Sequence, residues 1–126
     1  MHITIPLDPK TKKNSQRILT NKRTGRSFVA PSEEYKLFES AAGWYVKRPQ
    51  EPIREAVNVR CEYYMKTHRR VDLVNLLEAT LDILVKYGVL ADDNCAVVVS
   101  MDGSRVLYDK QHPRTEIEIT PCGGTE

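Results

Sequence analysis

Apolar and polar residues alternate with a period of two at three places in the chain. Ile3, Ile5 and Leu7 alternate with His2, Thr4 and Pro6, which predicts a short first strand ending at Pro6 or Pro9, because proline cannot donate to a ladder. Over 56–64, Val57, Val59, Cys61 and Tyr63 alternate with Asn58, Arg60 and Glu62, the signature of a half-buried strand. Thr115, Ile117 and Ile119 against Glu116 and Glu118 predict a last strand over 114–120. Between these the period changes. Tyr35, Phe38, Ala42 and then Tyr45 or Val46 recur three or four apart behind Ser32, which stands where a helix N-cap belongs. Gly43 weakens that helix, and Pro49 and Pro52 end it. The clearest helix runs over 72–87, with Leu73, Leu76, Leu77, Thr80, Leu81, Leu84 and Val85 as its buried face and Gly88 as its stop. Its other side carries Asp72, Asn75, Glu78, Ala79 and Asp82, which at about 100° per residue share roughly a third of the circumference. The apolar run 96–100 predicts an inner strand, Asp102-Gly103 a turn, and 105–108 a resumption of pairing.

A length of 126 residues suits one domain, which the pattern places over 1–120 with a loose tail over 121–126. Hydrophobic residues at 40% and charged residues at 29% are ordinary for a globular protein and exclude a disordered chain. Cys61, Cys95 and Cys122 form no CxxC pair, and with no signal-like apolar run they point to reduced thiols and a cytoplasmic protein. No apolar stretch reaches the roughly 18 to 20 residues of a membrane span, so membrane anchoring is not expected. Trp44 and Tyr45 read as core residues in preference to contact residues.

A net charge of +2 identifies no partner, but its distribution is uneven. Lys10, Lys12, Lys13, Arg17, Lys22, Arg23 and Arg26 follow one another with no acid among them, in what reads as a basic loop. A solvated cationic loop and a phosphate-contacting one both fit that run.

The chemistry sits further on. Arg69-Arg70 precede Asp72, and about twenty residues later stands Asp92-Asp93-Asn94. Carboxylates are the hard ligands that Mg²⁺ accepts, one or two at a time beside phosphate and water, so paired arginines with two acidic groups suggest metal chemistry on a phosphate-bearing substrate. Helix capping by Asp72 and turn chemistry at Asp92-Asp93-Asn94 are the alternatives. A helix over 72–87 is about 24 Å long, so Asp93 meets Asp72 only if 88–93 turns back.

The segment Arg69-Arg70-Val71-Asp72-Leu73-Val74-Asn75-Leu76, followed by Leu81-Asp82-Ile83-Leu84, Gly88 and Asp92-Asp93, resembles the RusA-type Holliday-junction resolvases, whose pattern is basic residues, D-L-D-N-L, a helix with D-x-L, Gly and D-D. Lys13-Asn14-Ser15, after the first strand, is similar to the family's Asn-bearing loop, and Tyr35 to an aromatic in the helix that follows. The resemblance implies an α+β fold, a single domain with a mixed β-sheet and flanking helices. It also implies a homodimer that uses Mg²⁺, or Mn²⁺ in its place, to cut four-way DNA junctions by paired incisions in recombination and repair.

Carried onto this chain, the resemblance assigns metal binding to Asp72, Asp93 and Asp92 and the orientation of a water or ligand to Asn75. Lys10, Lys12, Lys13, Asn14, Arg17, Arg69, Arg70 and Arg105 are the expected DNA-contacting residues. Val74 stands where the family has its second acid, and Glu78 where a lysine is common. Glu78 and Asp102 are the candidates to replace the missing carboxylate, Asp82 being farther along the helix. The rival readings are a junction-binding protein without nuclease activity, a nuclease for other branched DNA, and a structural or partner-binding domain with no salt-dependent DNA affinity.

Overall fold

The computed structural model describes residues 1–12 and 16–122. Its core element is β4 (Val57–Met65), nine residues whose inward positions Val57, Val59, Cys61, Tyr63 and Met65 are all buried. Valine and tyrosine at alternate positions suit a pleated surface covered on one face. β7 (Arg114–Pro121) pairs antiparallel with β4, setting Ile117 opposite Cys61 and Ile119 opposite Val59. β1 (His2–Ile5) then pairs antiparallel with β7 and ends before Pro6, so Leu7 lies outside the strand.

On the other side of β4, β5 (Val98–Ser100) and β6 (Arg105–Tyr108) both run parallel to it, β5 at its beginning and β6 at its end. The sheet is therefore mixed, in the order β1-β7-β4-β5 with β6 also on β4. The apolar run 96–100 thus makes an edge strand and not an inner one. The strand is only three residues long, no strand among the described residues lies beyond it, and Val99 is 54% exposed.

The basic stretch is also more ordered than its charge suggests. β2 (Gln16–Thr20) and β3 (Ser27–Pro31) form a separate antiparallel hairpin. Asn21 builds the turn: its side-chain oxygen accepts from the Arg23 amide at 2.9 Å, and its carbonyl accepts from the Gly25 amide at 2.8 Å. The apolar pairs Ile18-Leu19 and Phe28-Val29, set in register across the hairpin, were the available signal, masked by the cations between them.

α1 (Glu33–Gly43) begins as its sequence indicates, with the Ser32 hydroxyl oxygen accepting from the Tyr35 amide at 3.1 Å. It buries Tyr35 and Ala42 and stops at Gly43, short of Tyr45 and Val46. A Cβ at Gly43 would lie 2.5 Å from the Tyr87 ring, so glycine there lets α1 approach the end of α2. Trp44 and Tyr45 are exposed, Trp44 by 89%, contrary to the core assignment. Trp44 stands about 200° around the helix from buried Ala42, at an open cleft that it lines with His2, Ile3 and Thr4 of β1.

α2 (Leu73–Lys86) runs back along β4. Its buried residues are Leu76, Ala79, Thr80, Ile83 and Leu84, whereas Leu73, Leu77, Leu81 and Val85 are only half-buried. The apolar face is thus broader than expected: it takes in Ala79 and Ile83, while Leu73, Leu77, Leu81 and Val85 pack against the core from its margins. Gly88, at φ 80, ends the helix as expected in a conformation that disfavours a side chain. The last residues are less loose than the pattern implied: Pro121 belongs to β7 and the Cys122 amide donates to the Ala56 carbonyl at 2.9 Å, while 123–126 lie outside the described residues.

Candidate functional site

Asp8, in the loop after β1, organises the basic side of the molecule. Its carboxylate accepts from the Lys66 amide at 3.0 Å and from Arg69 at 3.1 Å, and Lys10 stands 3.6 Å away. Arg69 also donates to the Pro9 carbonyl at 2.6 Å. These bonds tie the end of β1 to the segment that follows β4. Between them lies a cleft lined by Pro9, Lys10, Thr11, Glu34, Arg69, Arg70 and Val71. Arg69 is therefore largely a structural clamp, whereas Arg70 is exposed and makes no hydrogen bond or ion pair among the described residues. Sequence reasoning singled out the arginines and missed Asp8, whose only signal was an isolated acid between Pro6 and Pro9.

The other cations are differently engaged. Lys12 pairs with Asp82 at 3.1 Å and lies 5.8 Å from the centre of the Tyr35 ring, which makes Asp82 a partner of the basic segment and not a free acid on a solvated strip. Burial, Glu39 and Asp82 all push the Tyr35 phenol up, so it stays neutral and donates to Glu39 at 3.4 Å. Lys10 lies within 3.9 Å of Glu34 as well as near Asp8. Arg105, on β6, makes two bonds to Glu62 on β4, at 2.8 and 3.1 Å. Lys13 and Asn14 lie outside the described residues, as does the side chain of Arg17.

Asp72 occupies the N-cap position of α2 but makes no side-chain capping bond. Its carboxylate instead accepts from the Asn75 side-chain amide at 3.3 Å, which leaves it exposed with one oxygen oriented. Asp92 is held by local bonds, accepting from the Asp93 amide at 2.7 Å and the Asn94 side chain at 3.1 Å. Asp93 is exposed, and its carboxylate has no hydrogen bond or ion pair among the described residues. Glu78 is exposed midway along α2. Asp102 lies in the turn between β5 and β6, where its amide donates to the Asn58 side chain at 2.8 Å, near the start of β4. Val74 projects outward and is 70% exposed.

The structure does not bring these acids together within one chain. Asp72 follows the end of β4 and opens α2; Asp92 and Asp93 follow the opposite end of a helix of 14 residues, about 21 Å long. After Gly88 the chain turns to the sheet and not back along α2: the Ala91 amide donates to Ile53 at 2.9 Å and Val97 accepts from the Val57 amide at 2.8 Å, both beside the beginning of β4. Among the described residues, no three His, Cys, Asp or Glu side chains form a group able to hold a metal ion. In chemical type the acids suit Mg²⁺; in position they stand towards opposite ends of α2.

A cleft bearing Arg70, which has no partner among the described residues, is suited to contact phosphate. Residues 6–120 match the protein family described as endodeoxyribonuclease RusA. The chain belongs to that family, a family of DNA hydrolases, and the match spans almost every element of its fold. No curated protein matches the chain. No described helix is long and apolar enough to cross a membrane.

Proposed function

We propose that the protein is a structure-selective endodeoxyribonuclease that resolves four-way DNA junctions in recombination and repair, acting in the cytoplasm as a homodimer and requiring Mg²⁺ or Mn²⁺. The observation that carries this reading is the family match over 6–120, which includes Arg69-Arg70-Val71-Asp72 and Asp92-Asp93. A divalent cation, when bound, would supply an activated water and offset charge on the phosphate. Asp72, Asp92 and Asp93 are the residues proposed to serve it, with Asn75 orienting the Asp72 carboxylate. Arg70 and the cations of the 10–17 segment would bind backbone phosphates, which fixes the register of the DNA but carries no sequence information. Paired incision of a two-fold symmetric junction calls for two centres, and a homodimer provides them.

The test is a panel of four-way junction, flap, duplex and single strand, each with Mg²⁺, Mn²⁺ or EDTA. The reading requires junction cleavage in metal and none in EDTA. Uncut junctions in both metals would defeat it.

Val74 favours one second reading. An exposed valine cannot replace the carboxylate the family has at that position, so a protein that binds junctions without cutting them is the alternative. Salt-sensitive junction binding that survives EDTA, with no cleavage in either metal, would select it.

A further inference from the structure

Exposed aromatic rings and unengaged cations coincide at the end of α1. Trp44 is 89% and Tyr45 44% exposed, and both line an open cleft with Lys47 and with His2, Ile3 and Thr4 of β1. Leu37, seven residues before Trp44 and so on almost the same line of α1, is 70% exposed. Lys47 and Arg48 are exposed and make no hydrogen bond or ion pair among the described residues. Lys86, which lines the neighbouring cleft with Arg48, is by contrast held by Glu39 at 2.7 Å. No acid stands between Ser40 and Gln50, and the carboxylates that bond His2, Glu116 and Glu118, are offset by its ring. An indole left in water forgoes a large burial free energy that nothing within the chain recovers.

We infer that this surface takes an unpaired nucleobase of a DNA strand, the base stacking on the Trp44 indole beside Tyr45 while Lys47 and Arg48 hold the flanking phosphates. Every base has an aromatic face, and an exposed ring among cations holds single strands with little regard to sequence. An acidic peptide would satisfy the cations too, but the membership of a family of DNA hydrolases favours the base. The placement agrees. Glu34, near the other end of α1, lines the cleft that carries Arg70, and Trp44 lies ten residues further, about 15 Å along the helix and about 80° around it. That is the span of four or five phosphates at about 3.4 Å each, so a strand with one phosphate on Arg70 reaches Trp44 a few nucleotides away. An uninterrupted duplex keeps its bases stacked on one another and presents no free face; a branch with unpaired bases does. Trp44 is thereby a specificity-determining residue that favours branched and single-stranded DNA over duplex. This inference rests on the DNA-acting reading for its ligand, but on neither cleavage nor metal binding.

Trp44 is the chain's one tryptophan, so intrinsic fluorescence reports on this site alone. Oligothymidylate, branched DNA with unpaired bases at the branch, uninterrupted duplex and polyglutamate are titrated into the full chain in EDTA at low salt. The single strand and the branched DNA should quench the emission, and duplex at the same phosphate concentration should leave it nearly unchanged. In anisotropy measurements with labelled oligothymidylate, Trp44→Ala should weaken binding about tenfold and Trp44→Phe, which keeps a ring, about twofold, with duplex affinity unaltered by either. Because Trp44 is so exposed, both variants should keep the wild-type Tm. Lys47→Gln and Arg48→Gln should each lower the slope of log K against log salt by about 0.7 for the single strand. Emission that oligothymidylate leaves unchanged overturns the base site, as does an equal loss of single-strand and duplex affinity in Trp44→Ala. A change in emission with polyglutamate alone overturns it in favour of an acidic polypeptide. Quenching by the single strand, beside a wild type that cuts no DNA in Mg²⁺ or Mn²⁺, overturns the nuclease reading and leaves the base site standing.

Discussion

The hydroxyls of Tyr63 and Thr80 share a hydrogen bond of 2.6 Å inside the core, joining β4 to the middle of α2. Both residues are buried, and burial pushes the Tyr63 phenol well above its ordinary range, so the bond persists at all working pH values. Because α2 lies between Asp72 and Asp92-Asp93, this bond helps to fix where the acids stand.

Tyr63→Phe should lower the unfolding free energy by about 1–2 kcal/mol, since the Thr80 hydroxyl loses its side-chain partner in a dry interior. Adding Thr80→Val should cost less than the sum of the single changes. Urea titrations of the four proteins measure this, and simple additivity would show that the hydroxyls share no energy.

Arg69 and Arg70 are adjacent but should behave differently. Arg69→Gln removes bonds to Asp8 and the Pro9 carbonyl and should lower stability by about 1 kcal/mol, discounted for partial exposure, with a lower Tm. Arg70→Gln leaves those bonds in place; it should weaken junction binding on all sequences alike and reduce the slope of log K against log salt by about one. Fluorescence anisotropy across a salt series, beside thermal melts, separates the two effects.

The thiols should differ sharply in reactivity. Burial pushes the Cys61 thiol up to about 12, whereas Cys95 is exposed. A maleimide at neutral pH should label Cys95 in the folded protein and reach Cys61 only in denaturant. Peptide mapping by mass spectrometry reads the sites, and early labelling of Cys61 would contradict its burial.

The His2 ring bonds Glu118 at 2.9 Å and Glu116 at 2.8 Å, which raises its pKa above the usual 6.5, while both carboxylates are lowered from 4.5. The histidine's contribution is therefore complete below 6.5 and is lost as pH rises through its raised folded value; the carboxylates' contribution is complete above 4.5 and is lost as pH falls through their lowered values. The docking of β1 on β7 should be tightest between these limits. His2→Gln should flatten the fall in Tm above the histidine range, and a proton NMR titration of the ring should give a pKa above 6.5.

How much of this was legible in the sequence follows from what each signal depends on. β4 and β7 were readable because one face is dry and the other wet, so their residues alternate. Ser32, Gly88 and the turn at Gly103 were readable because their chemistry is local. Neighbours in space were not. The run 96–100 is apolar enough for an inner strand, but its place at an edge depends on β7 already occupying the other side of β4. Trp44 was read by its type, although its position relative to Ala42 turns it outward. At the site, the residue types suggested carboxylate chemistry, while the separation of Asp72 from Asp93 depends on where Ile53 captures the chain after α2. Asp8 was missed because a single acid carries no pattern; its importance comes from the Arg69 and Lys66 groups that converge on it.

The edge made by β5 and β6 is broken by the turn around Asp102 and Gly103, and the opposite edge, β1, is only four residues long and ends at Pro6. Neither side of the sheet offers a long, flat row of free backbone donors and acceptors on which another chain could add a strand. Copies of the protein crowded together therefore have little means of extending the five-stranded sheet from chain to chain. Association at that sheet is left to side chains, where the sequence can specify both the partner and the number of copies.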